Sequence, residues 1–330
     1  MIIESRKDTF KNLWIEKYRP SHLNEVILDP ATKQSFQQMI DSKEVPHLLL
    51  AGKPGTGKTT IAFILINYII KHPEQDVLEL NGSAARGIDI VRNTIEEYCK
   101  SPPGVGDKIK IVFIDEADKI TADAQDALRN IIETYSENVR FIMTCNYLHK
   151  ISDALKSRLQ TYIFKALPKD QILNIVSNIL DNENIIYDQN ELVQLIDLVY
   201  PDIRKLLNEI QKYIINDPSG IRRMSLRNSD GSYFMIELDI VEKIITIWKY
   251  TLENNPNTNK LYLEINKSIT ENVVDFSLIY RILFDKVQGL GLKALISEYA
   301  NKNDKVMFQD MNLIELIYKG IITVLSNNKR

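Results

Sequence analysis

Along the first half of the chain, short unbroken apolar runs alternate with longer stretches where apolar residues recur every third or fourth position. The runs at 47–51, 76–80, 110–114, 140–145 and 161–164 predict buried strands. The stretches at 31–41, 58–70, 87–99, 121–134 and 152–156 predict helices. Strands alternating with helices imply a parallel sheet in an α/β domain. From Pro168 the strand signal fades. Residues 169–182, 189–199 and 202–215 read as three helices, and 217–232 as a polar linker. Residues 237–328 are again helical in period, with breaks near 254–259, 289–291 and 301–304. The expected division is an α/β domain over 1–166, a helical lid over 167–232 and an all-α C-terminal domain over 233–330.

Composition changes this picture little. At 330 residues the chain is long enough for two or three domains. Its 44% hydrophobic and 26% charged content is that of a soluble globular protein. Runs such as Ile61 to Ile70 are far too short to cross a bilayer, so no membrane association is expected. Early charges (Glu4, Arg6, Lys7, Asp8) do not suit a signal peptide. Cys99 and Cys145 have neither metal-ligand spacing nor a disulfide framework, which fits a reducing compartment. A net charge of −3 argues against indiscriminate polyanion coating but leaves room for a local basic groove.

Residues 52–60, GKPGTGKTT, carry the chemistry. Gly52, Gly57, Lys58 and Thr59 fit a phosphate-cradling loop between a strand and a helix, with Pro54, Gly55, Thr56 and Thr60 completing it. Glycines let backbone amides close on phosphates, and the helix N-terminus adds a favourable dipole. Lys58 would neutralise phosphate charge, and the Thr59 hydroxyl would ligate Mg²⁺. The later run IVFIDEADKI ends a strand on Asp115, a second Mg²⁺ ligand, and Glu116, suited to deprotonating an attacking water. The pair implies a Mg²⁺-dependent nucleoside triphosphatase. Asn146 at the end of FIMTCN suits either positioning that water or starting a turn. Arg158 and Arg204 are surface residues or phosphate partners. Arg204 sits in a first helical turn, where a cation opposes the dipole and needs another partner.

Further motifs run in order with these: WIEKYRP (14–20), ELNGSAARGIDIVR (79–92), TADAQDALR (121–129), TCNY (144–147) and DIRKLLN (202–208). Together they resemble the small subunits of replication factor C, AAA+ sliding-clamp loaders, over roughly residues 13–210. The resemblance implies an AAA+ domain with a five-stranded parallel sheet, a lid and a C-terminal oligomerising collar. It implies a pentameric ring of small and large subunits that opens a sliding clamp and loads it on primer–template DNA. Within it, Asn146 resembles the first sensor, Arg204 the second, and Arg158 an arginine finger reaching a neighbour's ATP. Tyr18, Arg19 and Pro20 resemble the segment against the adenine. Arg86, Arg92 and Lys150 match positions facing the DNA backbone, so binding should be indifferent to sequence. Ile95 to Lys100 and the loop after it resemble the clamp-contacting region, and Gln125 a link between DNA and the catalytic glutamate. A nuclear location is implied for a eukaryote, and the cytoplasm or a viral replication compartment for an archaeon or virus.

The departures spare the catalytic groups. Lys53 stands where the family has proline, Ala84 and Ala85 replace an acidic pair, and Leu159 follows Arg158 in place of cysteine. Two other readings compete: a non-hydrolysing ring subunit that donates Arg158, and a different AAA+ motor such as a branch-migration helicase. The second predicts a winged-helix domain with strands at the C-terminus. Intact Lys58 and Glu116 argue against the first.

Overall fold

The computed structural model describes residues 12–84, 87–104, 106–216, 222–226, 236–252, 258–272, 274–288, 290–303 and 309–327. Five parallel strands, β1 (Leu48–Gly52), β2 (Val77–Asn81), β3 (Lys110–Asp115), β4 (Val139–Cys145) and β5 (Gln160–Phe164), form one sheet in the order β2-β3-β4-β1-β5. Side chains alternate across the pleat, so each strand feeds two cores. Leu49, Val112, Ile114, Phe141 and Met143 face a cluster shared with Val91, Ile95, Leu128 and Ile132, from the helical segments over 88–100 and 122–134. Leu48, Leu50, Ile111, Phe113 and Ile142 face Phe36, Ile61, Phe63 and Ile66, from the helices Pro30–Ser42 and Lys58–Ile69. Buried on both faces, the strands carry the continuous apolar runs seen in the sequence.

Helix ends follow local chemistry. Asp29 accepts from the Thr32 amide at 3.0 Å and Pro30 opens the helix Pro30–Ser42. Ser152 caps Asp153–Lys156 through the Leu155 amide at 3.3 Å. The helix expected over 87–99 is continuous from Ile88 to Lys100, but Val91–Ile95 takes the wider π winding.

Two compact units emerge, one of residues 1–185 with 195–212, the other of 186–194 with 213–330. In the first, the helices Lys169–Asn182 and Ile203–Lys212 belong with the sheet domain. In the second, Ile214–Asn216 pairs antiparallel with Arg222–Met224. This corrects two expectations: the helix over 202–215 stops at Lys212, and the linker over 217–232 contains a strand. Two adjacent β-branched residues, Ile214 and Ile215, prefer the extended chain once a partner strand is present. Further on come the helices Ile236–Leu252, Thr258–Glu271, Phe276–Lys286, Leu290–Asn303 and Gln309–Asn327, with no strand among the described residues beyond Met224. The Trp248 indole donates to the Ile317 carbonyl at 3.1 Å and lies over Gly320, where a Cβ would collide with the ring. Buried Asn312 donates to the Tyr280 hydroxyl at 2.9 Å and the Tyr299 carbonyl at 3.1 Å. No helix is long and apolar enough to cross a membrane among the described residues.

Candidate nucleotide site

The C-terminal ends of β1, β3 and β4 converge on one place. β1 runs out at Gly52, where a Cβ would lie 2.9 Å from that of Phe164 on β5. Gly55 and Gly57 then take φ of 76° and 90°, the left-handed region open to glycine. Gly57 starts the helix Lys58–Ile69 with no side-chain cap, so the first-turn amides face the loop. Thr56 closes the loop by donating to the Lys53 carbonyl at 2.8 Å.

Lys58 is 7% exposed. Its Nζ donates to the Gly52 carbonyl at 2.8 Å, the Lys53 carbonyl at 2.9 Å and Asn146 Oδ1 at 3.0 Å, all neutral oxygens. Burial lowers its pKa from the ordinary lysine value, with the Asp115 charge opposing. Such an ammonium, at an uncapped helix start, is suited to an anion. Asn146 thereby stands against the phosphate-loop lysine. Its own amide donates to Asp118 at 3.0 Å.

The Asp115 carboxylate accepts from three groups. Thr59 Oγ1 lies 3.3 Å from both carboxylate oxygens, the Glu116 amide donates at 3.2 Å, and the Thr144 hydroxyl makes a short contact. Glu116 sits at φ 56°. A residue is held in that region only where its surroundings fix it; here its amide also reaches Thr144 at 3.1 Å and Ser83 Oγ donates to its Oε2 at 2.9 Å. A hydroxyl and a carboxylate side by side, beside a phosphate-binding loop, fit Mg²⁺, which takes few protein ligands and relies on phosphate and water for the rest. No cluster of three or more His, Cys, Asp or Glu suited to a metal occurs among the described residues.

A cleft of about 450 Å³ opens from this centre. Tyr18, Arg19, Pro20, Gly55 through Thr60 and Arg204 all line it, as do Ile27, Asn178, Ile179 and Leu207. The N-terminal segment is tied down by Tyr18 donating to Glu183 at 2.8 Å and by the Trp14 amide donating to Gln211 at 3.0 Å. Asp202 caps the helix carrying Arg204 through the Lys205 amide at 3.1 Å, and packs where a Cβ on Gly55 would lie 2.9 Å from its Cα.

The remaining candidates lie apart from the cleft lining. Arg158, 47% exposed, pairs with Glu133 at 2.7 Å. Exposed Arg92 lines a separate surface hollow with Glu96, Asp123 and Asp126. Exposed Lys150 lies over the Tyr147 ring at 4.8 Å. Arg86 falls outside the described residues. Gln125 has no bond to Glu116; buried, it donates to the Ile120 and Lys150 carbonyls at 3.1 and 3.0 Å and accepts from the Ser152 amide at 2.8 Å. Sequence reasoning missed Thr144, Ser83, Asp202 and Glu183. Thr144 alone had a signal, two residues before Asn146 on a strand beside IDEAD.

The profile of the ATPase family associated with various cellular activities (AAA) matches residues 48–167. A replication factor C small subunit of Sulfurisphaera tokodaii is 31% identical over 89% of this chain and 97% of its own length. That of Methanosarcina acetivorans is 32% identical over 96% and 88%. That of Sulfolobus acidocaldarius is 40% identical over 60% and 62%. Among solved structures, the Thermotoga maritima RuvB Holliday junction branch migration motor superposes with a TM-score of 0.50 at 17% identity, over 70% of this chain and 80% of its own. That likeness extends to the fold alone.

Proposed function

The chain belongs to the replication factor C small-subunit family of AAA ATPases, clamp-loader proteins of DNA replication, and on that footing we propose that it hydrolyses ATP as one subunit of a pentameric ring that opens a sliding clamp and sets it on primer–template DNA. The observation that carries the reading is Lys58: a nearly buried cation bonded only to neutral oxygens, at the uncapped start of a helix.

In this reading Lys58 and the loop amides hold the β- and γ-phosphates. Thr59 and Asp115 hold Mg²⁺, which when bound neutralises charge developing on the phosphoryl oxygens. Glu116 takes a proton from the attacking water, and Asn146, fixed by Lys58, orients it. Arg204 meets the γ-phosphate from the lid helix. Tyr18, Arg19 and Pro20 border the base. Arg158 serves the neighbouring subunit's nucleotide. Its exposure supports this, since an exposed ion pair with Glu133 holds it by little, ~0.2–1 kcal/mol. Arg86, Arg92 and Lys150 contact the DNA backbone without reading bases. The division into an ATPase domain, a lid and a collar is part of the same proposal. A branch-migration motor with a C-terminal winged helix is disfavoured by the all-helical described residues beyond Met224.

The test is the ATPase rate of the assembled complex with and without sliding clamp and primed DNA, for wild type and Arg158→Ala. Strong stimulation by both ligands, lost in the variant, is expected. In-trans arginine fingers contribute ~10³–10⁵ in rate. A rate indifferent to clamp and DNA would overturn the proposal.

A further inference from the structure

The cleft is divided by its own chemistry. Among its lining residues, Gly55 to Thr60 and Arg204 supply amides and cations, while Ile15, Val26, Ile27, Ile175, Ile179 and Leu207 supply apolar walls. Phosphates belong with the first set and a purine with the second. Apolar walls accept the faces of any purine but cannot read its edge.

Apart from the phosphate-loop residues and Arg204, the polar side chains lining the cleft are Tyr18, Arg19, Glu25, Asn178 and Asn182. Three are engaged within the chain. Tyr18 donates to Glu183 at 2.8 Å, Arg19 pairs with Glu16 at 2.5 Å, and Glu25 accepts from the Ser21 amide at 2.7 Å. The side-chain amides of Asn178 and Asn182 hydrogen-bond to no described residue. They stand four residues apart on the helix Lys169–Asn182, hence on one face. The same face carries Ile175 and Ile179 into the cleft.

Resting on the nucleotide-binding reading above, we propose that Asn178 and Asn182 read the edge of the base and make this site selective for adenine over guanine. A side-chain amide offers one donor and one acceptor side by side. That pair complements the 6-amino group and N7 of adenine; the same edge of guanine presents two acceptors and leaves the amide oxygen opposed to one of them. Both asparagines are exposed, so the pair is worth about tenfold in preference, toward the low end for such contacts. The apolar walls supply affinity common to both purines, and the two amides supply the choice.

Equilibrium titration of the full chain with fluorescent N-methylanthraniloyl ATP and GTP tests this, for wild type, the Asn178→Ala/Asn182→Ala double variant and Lys58→Ala. Alanine raises helix propensity at both positions, so the double variant keeps its fold, which thermal melting verifies. The expected result is tighter ATP than GTP binding in wild type. In the double variant ATP weakens about tenfold while GTP stays within about twofold. An unchanged ratio, equal weakening of both nucleotides, or no ATP preference in wild type would overturn the proposal. Failure of the wild type to bind either nucleotide, or binding that Lys58→Ala leaves intact, would instead bring down the nucleotide-site reading and this inference with it.

Discussion

Gln125→Ala removes a side chain that is 3% exposed and joins three backbone groups. Its amide nitrogen serves the Ile120 and Lys150 carbonyls, and its oxygen accepts from the Ser152 amide. Truncation leaves two acceptors and one donor without these partners. At ~1 kcal/mol for each group so abandoned, the loss is about 3 kcal/mol. Removing a buried side chain down to Cβ adds about 1 kcal/mol for the space left behind. At roughly 2–4 °C per kcal/mol for a unit of this size, melting should fall by roughly 8–16 °C. Urea unfolding followed by circular dichroism gives the free energy directly, from the midpoint at constant slope. Gln125→Glu is the sharper partner. It keeps the volume and the acceptor for Ser152, but sets a carboxylate oxygen against two carbonyls, and should destabilise at least as much. A loss under about 1 kcal/mol in both variants would refute the bracing role, because the three groups would then be satisfied by water. The same side chain anchors the turn carrying Lys150, so under the proposed DNA contact of Lys150 the primed-DNA affinity of the assembled complex should drop with it.

Other outcomes follow from the site. Lys58→Ala should abolish measurable ATP binding by equilibrium titration, whereas Glu116→Gln should retain binding and lose steady-state phosphate release by ~10²–10⁴-fold. Arg158→Ala should leave ATP affinity of the lone chain unchanged; lost binding in the monomer would refute the trans assignment. Burial, with Arg140 adding to it, pushes the His47 imidazole down to about 4, and its Nδ1 accepts from the Phe141 amide at 3.1 Å. With its folded pKa depressed below the unfolded value of ~6.5, the unfolded chain binds the proton first. Stability is therefore full above about 6.5 and declines as pH falls toward 4, by about 2 kcal/mol after allowance for partial exposure. His47→Asn, which preserves an acceptor for Phe141, should remove that slope in pH-dependent urea titrations.

The strands were legible because a parallel sheet covered on both faces leaves uninterrupted apolar runs, as in Ile111 to Ile114. The loop and the acidic pair were legible because each needs particular residue types at fixed spacing. The hairpin after Lys212 was not. Ile214 continues the helical spacing from Leu207 and Ile210, and only the pairing with Arg222–Met224 decides against a helix. Ser83 was hidden, and Thr144 marked only by its place before Asn146, for a related reason. Ser and Thr hydroxyls are common, and these two gain meaning only because β2–β3 pairing sets Asn81 beside Asp115 and β4 lies next to β3. The tether from Tyr18 to Glu183 spans most of the domain in sequence and had no local signature.

The strand order has a consequence for synthesis. β2, β3 and β4 are sequential neighbours and can pair as they appear, but β1 sits between β4 and β5. The strand that launches the phosphate loop therefore waits, unpaired and wholly apolar, until Val139–Cys145 and Gln160–Phe164 have left the ribosome. Distant pairings of this kind close slowly and leave sticky segments open meanwhile. A nascent chain cut short before β5 would hold Asp115, Glu116 and Lys58, yet lack the strand that closes the sheet beside β1.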